Sequence, residues 1–132
     1  MLGDAQLHAA AEYLDARFGL VALWLFGSQA TGRARSDSDV DLAALFVARP
    51  DVLAIVDAAA DLEGLLHRSV DLVDLSRASP ALARQVLRSG RLILDHNPSA
   101  RFRFETELPS RYEDLRLLRA PIERAIAERL RG

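Results

Sequence analysis

The chain has no cysteine, which excludes disulfides, a thiol nucleophile and any thiolate metal site, and leaves redox compartment unassigned. It has no lysine either, since all 17 cationic residues are arginine. That uniformity reads as genomic bias rather than the demand of one site, but it excludes lysine-dependent chemistry. A basic excess is also missing: the formal net charge is −2. Proteins that coat a phosphate backbone usually carry a clear positive surplus, so no direct nucleic-acid binding is expected. Nowhere do about 18 apolar residues run together. The opening stretch from Met1 to His8 lacks the basic start and apolar core of a secretory signal. The expectation is a soluble cytoplasmic protein with no membrane contact. Neither an internal repeat nor a low-complexity stretch is present. A length of 132 residues suits one domain spanning the chain, with a core over about 4–96 and a C-terminal segment over 100–132.

Charge is uneven along that domain. Residues 1–100 hold 9 Arg against 13 Asp or Glu, or −4, whereas residues 101–132 hold 8 Arg against 6 acids, or +2. The acidity sits in the half that also carries an alternation of helical and strand patterns. Asp4 is placed to cap a helix whose apolar positions Leu7, Ala10, Ala11, Leu14 and Phe18 recur at steps of three or four, ending at Gly19. Leu20 to Phe26 reads as a strand, followed by a Gly27-Ser28 turn, a short helix through Ala30 to Gly32, and a polar loop. A second strand covers Asp39 to Val47. A helix opened by Pro50-Asp51 follows, with Val52, Ile55, Ala59, Leu62 and Leu66 on one stripe, then a third strand from Val70 to Leu75. Ser79-Pro80 pairs an N-cap residue with proline at the first helical position. That helix is expected to stop at Ser89-Gly90 before a short strand, Arg91 to Asp95. Asn97-Pro98-Ser99 reads as a linker, and Ser110 to Glu113 as a capping box that starts a last helix, with Pro121 as its kink. The fold class expected is α/β (α+β), a mixed central sheet flanked by helices with a C-terminal helix.

The chemistry concentrates where the first strand ends and the second begins. Gly27-x-x-x-x-Gly32 has the glycine spacing of a P-loop, but Arg33-Ala34 stands where Lys and Ser or Thr are required. A dinucleotide fingerprint fails at Gln29, where its second glycine belongs. Asp37, Asp39 and Asp41 imitate the start of a calcium loop, yet Leu42 and Ala48 occupy the positions that need Gly and Glu. What survives is a glycine that lets backbone approach a triphosphate, with Ser28 adding a hydroxyl and an N–H at a helix start. Opposite stand Asp39 and Asp41, two apart and therefore on one face of a strand. Carboxylates cannot face a triphosphate without divalent cations, and hard oxygen ligands select Mg²⁺, with two ions bridging acids and phosphates. Asp71 and Asp74 lie on opposite faces of the third strand, so at most one joins the site. Asp71 is chosen, because Asp74 lies close to Ser76 and Ser79. Trp24 falls inside the first strand and is expected in the core. His8, His67 and His96 have no metal-ligand spacing and are expected at the surface.

These residues resemble a known family. Gly27-Ser28-Gln-Ala-Thr-Gly32 followed by Ser38-Asp39-Val-Asp41-Leu42 is similar to the signature of the DNA polymerase β-like nucleotidyltransferases, and the short chain resembles their minimal nucleotidyltransferase (MNT) branch. Val70-Asp71-Leu72-Val73 resembles the strand bearing that family's third carboxylate. The stretch Arg101 to Glu105 through Tyr112 to Leu115 is similar to the tail of MNT antitoxins encoded beside HEPN-domain toxins. The resemblance implies catalytic and metal-binding roles for Asp39, Asp41 and Asp71, and nucleotide contacts from Gly27 and Ser28. Thr31 stands where many relatives carry Arg, leaving phosphate contacts to Arg33 or Arg35. It further implies transfer of AMP from ATP, with Mg²⁺, onto a tyrosine of a HEPN ribonuclease toxin held in a hetero-oligomer, which silences the toxin. Two other readings stay open: nucleotidyl transfer to a small molecule, and an antitoxin that acts by binding alone.

Overall fold

The computed structural model describes residues 2–27 and 39–108. The short helix expected to Gly32 and the last helix expected from Ser110 lie outside the described residues, as do Ser28, Arg33 and Arg35. Helix α1 (Asp4–Phe18) leads through Gly19 into β1 (Leu20–Phe26). Gly3 rather than Asp4 takes the N-cap position, and its N–H donates to the Gln6 carboxamide at 3.0 Å. Asp4 instead occupies the first turn, where a carboxylate complements the helix dipole. Next come β2 (Val40–Phe46), α2 (Val52–Leu66), β3 (Val70–Asp74), α3 (Pro80–Ser89) and β4 (Arg91–Asp95).

The sheet order is β3-β2-β1-β4. β1 lies antiparallel to both neighbours, while β2 and β3 run parallel, joined over one face by α2. The antiparallel pairing sets Phe26 opposite Asp41, and the parallel pairing sets Asp41 beside Asp71. β1 is almost wholly buried because both sheet faces are covered. On one face, Leu7, Ala10, Ala11 and Leu14 of α1 and Ile55, Ala58, Leu62 and Leu66 of α2 close over Leu23, Leu25, Leu42 and Leu72. Each such leucine, removed from water, contributes about 1.5–3 kcal/mol. At the edge of this layer Arg17 donates to Tyr13 and Asp61 and pairs with Asp57, while the Tyr13 hydroxyl donates to Asp61, fastening α1 to α2.

On the other face, Ala83 and Val86 of α3 pack over Trp24, Ala43 and Leu45. Trp24 is core, as its strand position implied. The same cluster takes in Ala100, Phe104 and Leu108, which belong to a helix, α4, over 98–108. This corrects the reading of Asn97-Pro98-Ser99 as a linker. Asn97 is the cap, its side-chain oxygen accepting the Ala100 N–H at 3.1 Å, and Pro98 begins the helix. Packing on this face therefore continues past residue 96 to Leu108, which is 2% exposed.

Asp74 is the buried acid of the described core, at 6% exposure. It accepts hydrogen bonds from Ser76 N at 3.0 Å, Ser76 Oγ at 2.8 Å and Arg77 Nη1 at 2.8 Å, and so shapes the turn that launches α3. Asp74→Ala orphans these donors and is expected to cost about 2–4 kcal/mol. A thermal melt checks this, and an unchanged midpoint would show the turn holds without it.

Candidate active site at one end of the sheet

β1 ends, and β2 and β3 begin, at the same end of the sheet. Gly27, Asp39, Asp41 and Asp71 therefore converge there from three separate stretches of chain. Strand alternation puts Asp41 with Ala43, and Asp71 with Val73, on the face that carries α3 and α4, while Asp74 belongs to the opposite face with Leu72. Asp39 and Asp71 are exposed and Asp41 is half-buried.

Gly27 has φ of 71°, a region side chains rarely enter. A Cβ placed there would overlap the Asp41 Oδ2 atom outright. The absent side chain is thus explained by the carboxylate folded against the turn.

Electrostatics mark the three acids as a group. The Asp41 carboxyl is held above its ordinary value, chiefly because burial disfavours its charged form, and then because the carboxylates of Asp71 and Asp39 repel it. No arginine is among the causes of this shift. Among the described residues, no three His, Cys, Asp or Glu side chains are gathered tightly enough to cage a cation. An all-oxygen, mutually repelling patch of this kind fits Mg²⁺ better than a closed cage does. Mg²⁺ typically takes one or two carboxylates and completes its shell with water and substrate phosphates.

The histidines stand apart from this chemistry. All three are exposed, His67 terminating α2 with φ of 56° and His96 lying 3.4 Å from Asp15. Two arginines that sequence reasoning passed over stand at the acid end. Arg68 lies in the turn before β3, and Arg91, opposite Leu25, reaches Asp4 at 3.0 Å. Their signal was available, since each directly precedes or opens a strand that starts at this end.

The family profile described as Polymerase beta, Nucleotidyltransferase matches residues 9–99, and the chain belongs to that family. Among curated relatives, the protein adenylyltransferase MntA of Thermococcus cleftensis is 39% identical over 85 residues, covering 64% of this chain and 86% of its own. Among solved structures, a toxin-antitoxin crystal structure with AMP-PNP superposes with a TM-score of 0.78 at 28% identity, over 96% of this chain and 99% of its own. A complex of the tri-AMPylated Shewanella oneidensis HEPN toxin with MNT antitoxin aligns at TM-score 0.73 and 27% identity, over 93% of this chain and 97% of its own.

Proposed function

We propose that the chain is a protein adenylyltransferase antitoxin, which moves AMP from ATP to a tyrosine of a HEPN-domain toxin bound in a hetero-oligomer. The observation that carries this reading is the convergence of Gly27, Asp41 and Asp71 at one end of the sheet, in a chain whose relative bears the name protein adenylyltransferase.

Asp39, Asp41 and Asp71 are the residues that would hold divalent cations. When bound, those ions neutralise the triphosphate and acidify the attacking hydroxyl, which is the usual service of a two-metal site. The chain's own groups do the positioning. Gly27 and Ser28 present the turn to the phosphates, with Arg33 or Arg35 adding positive charge. Asp71, exposed at the start of β3, accepts the proton of the tyrosine hydroxyl as that oxygen attacks the α-phosphorus. The α–β bridging P–O bond breaks, and pyrophosphate leaves toward Ser28.

A protein acceptor suits the site, because a tyrosine borne by a folded partner brings its own scaffold to the acids. The test is intact-mass spectrometry of the neighbouring HEPN-domain protein after incubation with ATP and Mg²⁺. A gain of AMP mass with wild type, absent with Asp39→Asn/Asp41→Asn, is the expected outcome. Tight binding of the two proteins with no mass gain would instead indicate an antitoxin that works by contact. Neither binding nor mass gain would leave a small-molecule acceptor.

A further inference from the structure

Phe26 is an aromatic ring that the chemistry above leaves without a task. It closes β1 and is the one position of that strand that is not buried. Nor does it stand in open water, since it packs against the rim of the cluster that holds Trp24, Ala43 and Leu45. Its cross-strand neighbours are the acids. Phe26 registers opposite Asp41, which registers beside Asp71, so the three residues form a row across β1, β2 and β3. All three stand on the face that carries α3 and α4, because Phe26 alternates in step with Trp24, Asp41 with Ala43, and Asp71 with Val73.

The order of the row divides the work. Strand spacing puts the backbone of Phe26 about 5 Å from that of Asp41 and about 10 Å from that of Asp71. Asp71 lies on an outer strand of the sheet and is exposed, so an acceptor that gives up its proton there approaches from the β3 side. The β1 side of Asp41 is left for the nucleotide, and Gly27, next in the chain after Phe26, turns from that side. A phenyl ring offers a phosphate neither charge nor a hydrogen-bond donor. What it holds well is a flat apolar face, and a nucleoside triphosphate has one such part, its base.

We propose that the Phe26 ring is the platform on which the adenine of ATP stacks, beside the acids that serve its phosphates. This rests on the adenylyl-transfer reading. The base lies over the β1 end of the row, the α-phosphate at Asp41 and the acceptor oxygen at Asp71. Stacking grips the face of a base and not its hydrogen-bonding edge, so Phe26 secures a purine without choosing adenine over guanine. The ring therefore contributes to affinity for the nucleotide and leaves the acceptor untouched.

Calorimetric titration of wild type, Phe26→Leu and Phe26→Tyr with AMP-PNP and with inorganic tripolyphosphate, each with Mg²⁺, separates the base from the phosphates. Phe26→Leu is expected to bind AMP-PNP about tenfold more weakly and tripolyphosphate within about twofold of wild type, with Phe26→Tyr close to wild type for both. GMP-PNP should follow AMP-PNP. In transfer, the Leu variant should raise KM for ATP about tenfold and leave KM for the HEPN-domain protein unchanged. A readout that needs no variant is a nuclear Overhauser contact between adenine H2 or H8 and the Phe26 ring in wild type. A ring that only packs the end of the core would weaken both ligands alike, because Asp41 would shift with it, and that result overturns the proposal. A raised KM for the HEPN-domain protein alone would give the ring to the acceptor and overturns it too, as does a bound adenine that makes no contact with the ring. In each of these cases transfer by wild type keeps the adenylyl-transfer reading standing. If wild type binds neither ligand, both fall.

Discussion

Asp41→Asn is expected to reduce adenylyl transfer by about 10³-fold or more while making the free protein more stable. The two effects have one cause. Asp41 is half-buried and faces Asp71 and Asp39, so its ionisation in the free protein is opposed by desolvation and by like charge. The substitution keeps the shape of the side chain and removes the repulsion. An increase of a few degrees in melting temperature follows, since about 1 kcal/mol moves the midpoint of a domain this size by roughly 2–8 °C. The sign of the pH dependence follows as well. A carboxyl whose folded pKa is raised stabilises the fold while protonated. That contribution is fully present below its ordinary value of 3.8 and is lost as pH rises through the elevated folded value. Wild type should therefore lose stability over that window, and Asp41→Asn should lose less. Activity moves the other way under the proposed function, in which the Asp41 carboxylate, gathered against its own repulsion, serves as a cation ligand. Losing a metal ligand removes several kcal/mol of transition-state charge stabilisation, and each 1.36 kcal/mol is a factor of ten in rate. Melting curves with and without Mg²⁺ check both halves: wild type should rise in midpoint with Mg²⁺ and the variant should not. A variant that melts below wild type would show that the acids are not strained against one another.

Much of this site was legible because its parts are local. The apolar run from Leu20 to Phe26 and the alternation around Val70 to Asp74 have strand lengths and strand periods, and their bounds in the fold differ little from the reading. The parity that separates Asp71 from Asp74 is likewise a property of a few residues. What no local pattern encodes is register. Asp41 and Asp71 are joined only through α2 and a parallel pairing, and their adjacency depends on how far β3 slides along β2 before Leu72 meets the core. The contact between Gly27 and Asp41 is hidden for the same reason, since it spans two strands. α4 was missed differently. Asn97-Pro98 carries the same cap and first-turn signal as Ser79-Pro80, but with Ser99 it also has the composition of a linker. The apolar stripe of Ala100, Phe104 and Leu108 is diluted by Arg101, Arg103, Glu105 and Glu107.

Gly27→Ala is expected to damage both stability and transfer more than its size suggests, by about 2–4 kcal/mol and about 10²-fold or more. Two separable costs act at this position. An L side chain at φ of 71° carries about 1–2 kcal/mol of strain at any such site. The Cβ also collides with Asp41 Oδ2, so either the turn or the carboxylate must move. Under the proposed function, moving the turn withdraws it from the phosphates, and moving Asp41 misplaces a cation ligand beside Asp71. Displacements of about an ångström in a positioned site cost roughly two orders of magnitude in rate. A double-mutant cycle separates the two terms. In an Asp41→Ala background the collision is gone, so Gly27→Ala should cost only the backbone strain, and the sum of the single effects should exceed the double by about 1–2 kcal/mol. Equal costs in both backgrounds, measured by chemical denaturation, would mean that the glycine is required by the backbone alone and that its closeness to Asp41 is incidental.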